Sequence, residues 1–270
     1  MKENQNLFRD LQEDFRKMKK NLLVAQSGGP TAAINATLAG VIKQAIKEEQ
    51  IDQVYGACYG IQGVLEQKFV NLTEKVDTEE KLEKLKRTPA AALGSCRFKL
   101  NDIKEDDSQY QEIVDILHKM NIGYFVYIGG NDSMDTVAKL SAYCKEKGVE
   151  DIKVIGGPKT IDNDLALTDH TPGYGSAAKY IGTSMKEIIR DSFCLEYEKG
   201  VVSIVEIMGR NAGYIALWCG IANGAEDILL PEKYDYDEQK IINNIIENRK
   251  KGKKHHIIIN AEGIGHSQAM

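Results

Sequence analysis

Short apolar runs and longer stretches of helical periodicity alternate along this chain. Leu22-Leu23-Val24-Ala25 is apolar at four consecutive positions, the pattern of a strand covered on both faces. A glycine turn follows, and then a helix expected from about Ala32 to Glu48. Val54–Cys58, Tyr124–Ile128, Ile152–Ile155, Val201–Ile207, Ile228–Leu230 and His256–Asn260 read as further strands. Helices are expected over Asp77–Arg87, Gln109–Met120, the stretch after Gly130, Gly175–Glu196, Ala212–Ile221 and Glu238–Lys251. The charge run in Asp77–Arg87 reads as a solvated face. Leu7, Phe8, Leu11, Phe15 and Met18 recur at helical spacing, so residues 1–20 are expected to form an amphipathic helical extension. Its apolar face would dock on the core or on a neighbouring subunit, so a homo-oligomer is expected.

Strand–helix alternation of this kind implies doubly wound α/β architecture with mostly parallel sheets. Ligands then sit beyond the carboxyl ends of the strands, where the glycine-rich and acidic segments fall. No linker marks a boundary; one is expected near residue 165. That gives α/β domains at 21–165 and 166–270.

With 270 residues the chain is long enough for one or two domains, and its 42% hydrophobic and 28% charged residues are ordinary for a soluble protein. The net charge of −5 argues against a nucleic-acid partner. No apolar run approaches the roughly 20 residues of a membrane span, and the polar start does not resemble a signal peptide. Five scattered cysteines without a CxxC pair fit reduced thiols in a cytoplasmic protein, most of them expected in the core.

The chemistry concentrates in Gly157-Pro158-Lys159-Thr160-Ile161-Asp162-Asn163-Asp164, which holds a cation, a hydroxyl and two carboxylates two positions apart. Phosphoryl transfer uses such a set: a base for the attacking hydroxyl, a carboxylate for Mg²⁺ and donors for phosphate oxygens. Ser27-Gly28-Gly29-Pro30-Thr31 and Gly129-Gly130-Asn131-Asp132-Ser133 each lie between a strand and a helix, where backbone N–H groups and the helix N-terminus suit an anion. Alone, the first reads equally as a tight turn and the second reads better as a helix cap; two in one chain favour a phosphate ligand. Met208-Gly209-Arg210-Asn211-Ala212-Gly213 follows a strand and offers an arginine fork for phosphate or carboxylate, or for a structural ion pair. In Ala261-Glu262-Gly263 a carboxylate closes the last strand.

In their order, GGP, LGSCR, GGNDS, PKTIDND, TPGYGSA, EIMGRNAG, ILLPE and AEG resemble the 6-phosphofructokinase family from Asn21 to Gly263. The resemblance implies two α/β domains with the active site in the cleft between them, and Mg²⁺-dependent phosphorylation of the 1-hydroxyl of fructose 6-phosphate in glycolysis. It makes Asp162 the general base and Asp164, with Asn131, the metal site. Lys159 and Thr160 would contact the transferring phosphoryl group and Arg97 would neutralise donor charge. Gly28, Gly29, Gly129, Gly130, Asp132 and Ser133 would cradle the donor. Thr160, Asp162, Met208, Gly209, Arg210 and Glu262 would line the sugar phosphate. ATP-using members usually carry glycine where this chain has Asp132 and Lys159, and pyrophosphate users carry aspartate and lysine. Asp132 would fill the room of a nucleotide α-phosphate, Lys159 suits a short dense anion, and Thr136 replaces a glycine near the adenine pocket of ATP users. Pyrophosphate is therefore the expected donor.

Three positions depart from the family pattern. Asn131 stands where many members have aspartate. Val201 lies where many ATP users place an arginine donated across a subunit interface. The segment that grips the sugar 6-phosphate is not matched by Gly265-His266-Ser267-Gln268, so the second domain is expected to be incomplete at its C-terminus. Two alternatives remain: an ATP-dependent 6-phosphofructokinase, and a non-catalytic sugar-phosphate-binding protein on the same fold.

Overall fold

The computed structural model describes residues 19–194, 198–233 and 237–264. The expected N-terminal helix, the last two residues of the helix expected to end at Glu196, and Gly265–Gln268 lie outside them. The apolar run at 22–25 becomes β1 (Lys20–Gln26), buried from Leu22 to Gln26. Leu23 and Ala25 pack into one hydrophobic cluster with Ala57, Ile61 and Phe125. Leu22 and Val24 pack into another with Ile34, Leu38 and Ile42. Opposite faces of one strand therefore feed two core layers, as both-side coverage of a parallel sheet requires.

Helix α1 (Ile34–Ala45) leads to β2 (Ile51–Ala57). Next come α2 (Gly60–Leu65), β3 (Phe69–Asn71), α3 (Leu72–Lys75), α4 (Glu79–Arg87) and α5 (Ser108–Lys119). The unit ends in β4 (Ile122–Gly129), α6 (Asn131–Glu146) and β5 (Lys153–Pro158). The sheet order is β3-β2-β1-β4-β5. All pairings are parallel except β2 with β3. Sequence reasoning missed α2, β3 and α3, which span three to six residues and are too short to develop a period. Helix α4 buries only Leu82 and is capped by the Thr78 side chain, which accepts from the Lys81 amide; the solvated face is borne out. Register aligns Gln26 with Ile128 and Gly129 with Pro158, so the carboxyl ends of three strands form one edge.

The chain divides into two compact units between Lys159 and Thr160. The second comprises α7 (Tyr174–Cys194), β6 (Val201–Ile207), α8 (Tyr214–Asn223), β7 (Asp227–Leu229), α9 (Glu238–Lys250) and β8 (His255–Ala261). The last strand is the central one, in the order β6-β8-β7, with both pairings parallel. Ile215, Ala216, Cys219, Ile259 and Ala261 are fully enclosed in its core with Met185. The cysteines correct one expectation: Cys144 and Cys219 are buried, Cys58 and Cys96 half-buried and Cys194 exposed, so most are not core residues. All five are free thiols. No helix among the described residues is long and apolar enough to cross a membrane.

Candidate functional site

Strands β1, β4 and β5 deliver the glycine turns and Lys159 to the same edge of the first sheet. The Ser27 amide donates to the Ile128 carbonyl at 2.9 Å, and the Lys159 amide donates to the Gly129 carbonyl at 2.9 Å. Each turn is thereby fixed to its neighbour by main-chain bonds. Gly28 adopts φ +73°, a left-handed conformation that glycine takes without a Cβ penalty. Gly129 is required for space, because a Cβ there would lie 2.0 Å from Ser133 Oγ and 2.8 Å from Ser27 Oγ. Those two buried hydroxyls bond to each other beneath the glycines.

Lys159 is only 4% exposed, so it is a buried cation rather than a surface neighbour of the acidic loop. Its ammonium donates to the Gly29 carbonyl at 2.6 Å. A Cβ on Gly28 would stand 3.1 Å from that nitrogen, and one on Gly130 would stand 3.8 Å from it. Both glycine turns therefore surround one ammonium. Asn131 and Asp132 open α6 and are exposed. Asp132 Oδ1 pairs with Lys99 Nζ at 3.2 Å, both side chains largely in solvent. Thr136 is buried, and its hydroxyl donates to the Asp132 carbonyl at 3.1 Å.

Arg97 is exposed and follows Cys96, whose carbonyl accepts from the Gly28 amide at 3.3 Å. The Ser95 hydroxyl donates to the Gly28 carbonyl at 2.5 Å. These bonds bring the LGSCR segment to the first glycine turn. Behind it, the Tyr127 hydroxyl accepts from the Ile61 amide at 3.2 Å. Burial, above all, pushes the Tyr127 hydroxyl well above the ordinary tyrosine range, despite a hydrogen bond from Ser27, so it stays protonated at neutral pH.

The acidic loop belongs to the second unit and is organised by a residue the sequence reading passed over. Asn163 is buried at φ +58°. Its side chain donates to the Asp169 carbonyl at 3.0 Å and accepts from the Thr171 amide at 2.9 Å. The Thr171 hydroxyl donates to the Thr160 carbonyl at 2.8 Å, and the Asp162 amide donates to Thr160 Oγ1 at 3.1 Å. Thr160, Asp162 and Asp164 are thus half-buried on a loop folded around one asparagine. Asparagine tolerates the left-handed region better than most residues, which explains its place between the carboxylates.

Neighbouring ends of β6 and β8 bring Met208, Gly209, Arg210 and Glu262 together. Ile207 is in register with Ala261, and the Glu262 amide donates to the Ile207 carbonyl at 2.9 Å. A Glu262 carboxylate oxygen accepts from the Gly209 amide at 3.3 Å. Met208, Arg210 and Glu262 are exposed. Gly209 sits at φ +131°, where a Cβ would meet the Ala212 carbonyl at 2.4 Å. Glu232, the last residue of ILLPE and given no role in the sequence reading, accepts from the Gly213 amide just before α8 at 2.7 Å.

Among the described residues no group of three His, Cys, Asp or Glu side chains forms a metal cage. Asp164, half-buried, supplies a hard oxygen donor of the kind Mg²⁺ accepts when phosphates and water complete its shell. The donor set fits a metal carried with phosphate rather than one held by protein alone.

Residues 21–270 match the family described as Phosphofructokinase. A protein named pyrophosphate–fructose 6-phosphate 1-phosphotransferase from Xanthomonas campestris pv. campestris is 43% identical over 218 residues, covering 79% of this chain and 51% of its own length. An ATP-dependent 6-phosphofructokinase from Ligilactobacillus salivarius is 34% identical over 245 residues, covering 91% and 70% respectively. The solved pyrophosphate-dependent phosphofructokinase of Nitrosospira multiformis superposes with a TM-score of 0.79 at 36% identity, over 90% of this chain and 60% of that one. This chain spans about half the length of the pyrophosphate-named relatives it matches, 51% in the case of the Xanthomonas protein. With all but its first twenty residues inside the match, the chain belongs to the phosphofructokinase family.

Proposed function

We propose that this chain carries the catalytic residues for transfer of a phosphoryl group from pyrophosphate to the 1-hydroxyl of fructose 6-phosphate. The observation that supports this reading best is the buried ammonium of Lys159 between the two glycine turns, bonded to Gly29. A cation in that position takes up space beside the donor turns and favours a compact, highly charged anion. Pyrophosphate in the names of the relatives at 36–43% identity agrees with it.

The 1-hydroxyl oxygen attacks the terminal phosphorus, the bridging P–O bond breaks, and inorganic phosphate leaves. Asp162 accepts the hydroxyl proton as the new bond forms. The turns at Gly28, Gly29, Gly129 and Gly130 let the backbone approach donor oxygens closely, with Asp132 exposed at the second turn and Ser133 buried beneath it. Lys159 and Thr160 hold the transferring group, and Arg97 offsets charge on the donor. Met208, Gly209, Arg210 and Glu262 orient the sugar phosphate. Asp164 and Asn131 would hold the metal, which would supply positive charge against phosphate oxygens. Positioning and electrostatics account for most of such catalysis. The chain is proposed to work in the cytoplasm and as a homo-oligomer.

The ATP-dependent reading has relatives of that name behind it. A turnover assay with Mg²⁺, fructose 6-phosphate and either donor separates the two. Turnover with pyrophosphate and little with ATP is expected. Robust ATP turnover without pyrophosphate turnover overturns the proposed donor. Sugar-phosphate binding with no turnover from either donor points instead to the non-catalytic protein. The paired change Asp132→Gly with Lys159→Gly is expected to move preference towards ATP.

A further inference from the structure

Two buried carboxamides outside the motifs lead to a further assignment, which rests on the reading of the donor turns just given. Gln26 is fully buried at the end of β1, and Asn35, 1% exposed, lies in the first turn of α1. Gln26 Nε2 donates to Asn35 Oδ1 at 3.0 Å and to the Ile34 carbonyl at 3.2 Å. Gln26 Oε1 accepts from the Leu93 amide at 2.9 Å. Asn35 Nδ2 donates to the carbonyls of Thr88 and Ala90, each at 2.8 Å, and Asn35 Oδ1 accepts from the Ala92 amide at 2.9 Å. Every donor and acceptor of both side chains is used.

All partners of the pair beyond α1 lie in residues 88–93, the start of a segment with no helix or strand from 88 to 100. Without a ladder, that segment depends on side chains for its backbone bonds. It also holds Ala90 at φ +63°, a strained conformation that persists only when its surroundings impose it. Three residues beyond Leu93, the Cys96 carbonyl accepts from Gly28, and Ser95 donates back to Gly28. Gln26 and Gly28 are two residues apart, so one strand end grips the segment at two points and carries the glycine turn as well. Only a carboxamide can face carbonyls and amides together in this way. A carboxylate lacks the donors, and an apolar side chain lacks both.

We infer that Gln26 and Asn35 are positioning residues that clamp segment 88–97 to the glycine turn, so that Ser95 and Arg97 stand at the phosphoryl donor. The pair works through the segment and does not itself touch substrate.

The test uses the whole chain with Gln26→Met, Asn35→Asp and Ser95→Ala. Hydrogen exchange read by mass spectrometry is expected to rise at least tenfold in 88–97 for the first two, with 122–129 unchanged. Steady-state kinetics are expected to show pyrophosphate kcat/KM falling at least tenfold, while the KM for fructose 6-phosphate stays within twofold. Ser95→Ala removes only the Gly28 bond outside the core and is expected to give the same split at about threefold. Unchanged exchange in 88–97 overturns the clamp. So does a loss shared equally by both substrates and tracking the folded fraction, which marks a merely structural role. If the core variants fail to fold, Ser95→Ala decides: wild-type exchange and kinetics there overturn the inference. If wild-type protein turns over neither donor, the proposed function falls, and the exchange arm alone decides the clamp.

Discussion

Gly28→Ala isolates the geometry on which the donor reading rests. Gly28 sits at φ +73°, and a non-glycine residue in the left-handed region costs about 1–2 kcal/mol. The added Cβ would also lie 3.1 Å from Lys159 Nζ, so the ammonium must move by a few tenths of an ångström. That ammonium donates to the Gly29 carbonyl at 2.6 Å. A hydrogen bond to a charged group contributes about 1.5–3 kcal/mol, and partial loss of it brings the expected total to about 2–3 kcal/mol. Gly29→Ala is the matched comparison, because no heavy atom lies within 4 Å of its Cβ position and its φ is not left-handed. Its stability is expected within about 0.5 kcal/mol of wild type. Urea unfolding measures both, with an unchanged slope confirming that stability alone has moved. The double variant Gly28→Ala with Lys159→Met should cost less than the sum of the single changes, since the steric conflict vanishes with the ammonium. Equal losses for Gly28→Ala and Gly29→Ala, or strict additivity in the double variant, would refute the picture of a lysine packed against the turn.

Two further outcomes are expected. Tyr127→Phe leaves the buried Ile61 amide without its acceptor and should destabilise by about 1–3 kcal/mol in the same assay. Because burial raises the folded-state pKa of Tyr127, its contribution is complete below the ordinary value of about 10 and is lost as pH rises above it. The phenylalanine variant should therefore lose less stability than wild type between neutral pH and strong alkali, and an equal loss would count against the assignment. Asp162→Asn removes the proposed base and should lower kcat by about 10²–10⁴ with whichever donor is used, measured in the coupled turnover assay. A variant as active as wild type would remove Asp162 from the chemistry.

Much of this protein is legible in its sequence. The run at 22–25 declares a doubly covered strand, and the glycine turns and acidic loop announce themselves at strand ends. Apolar periodicity is a local property, set by which faces of a helix or strand must leave water. Composition at the turns is local too, because glycine and asparagine are chosen by the conformation of their own backbone, as at Gly28 and Asn163. Tertiary structure decided what depends on partners far away in the chain. The last strand, β8, lies between β6 and β7. The Lys159 ammonium finds a carbonyl 130 residues earlier, and Asn35 holds carbonyls 53 and 55 residues later. A lysine or asparagine in sequence specifies only what it can donate or accept. Which atom it meets is fixed by the packing of the strands that bring it there, and packing couples positions that share no local pattern.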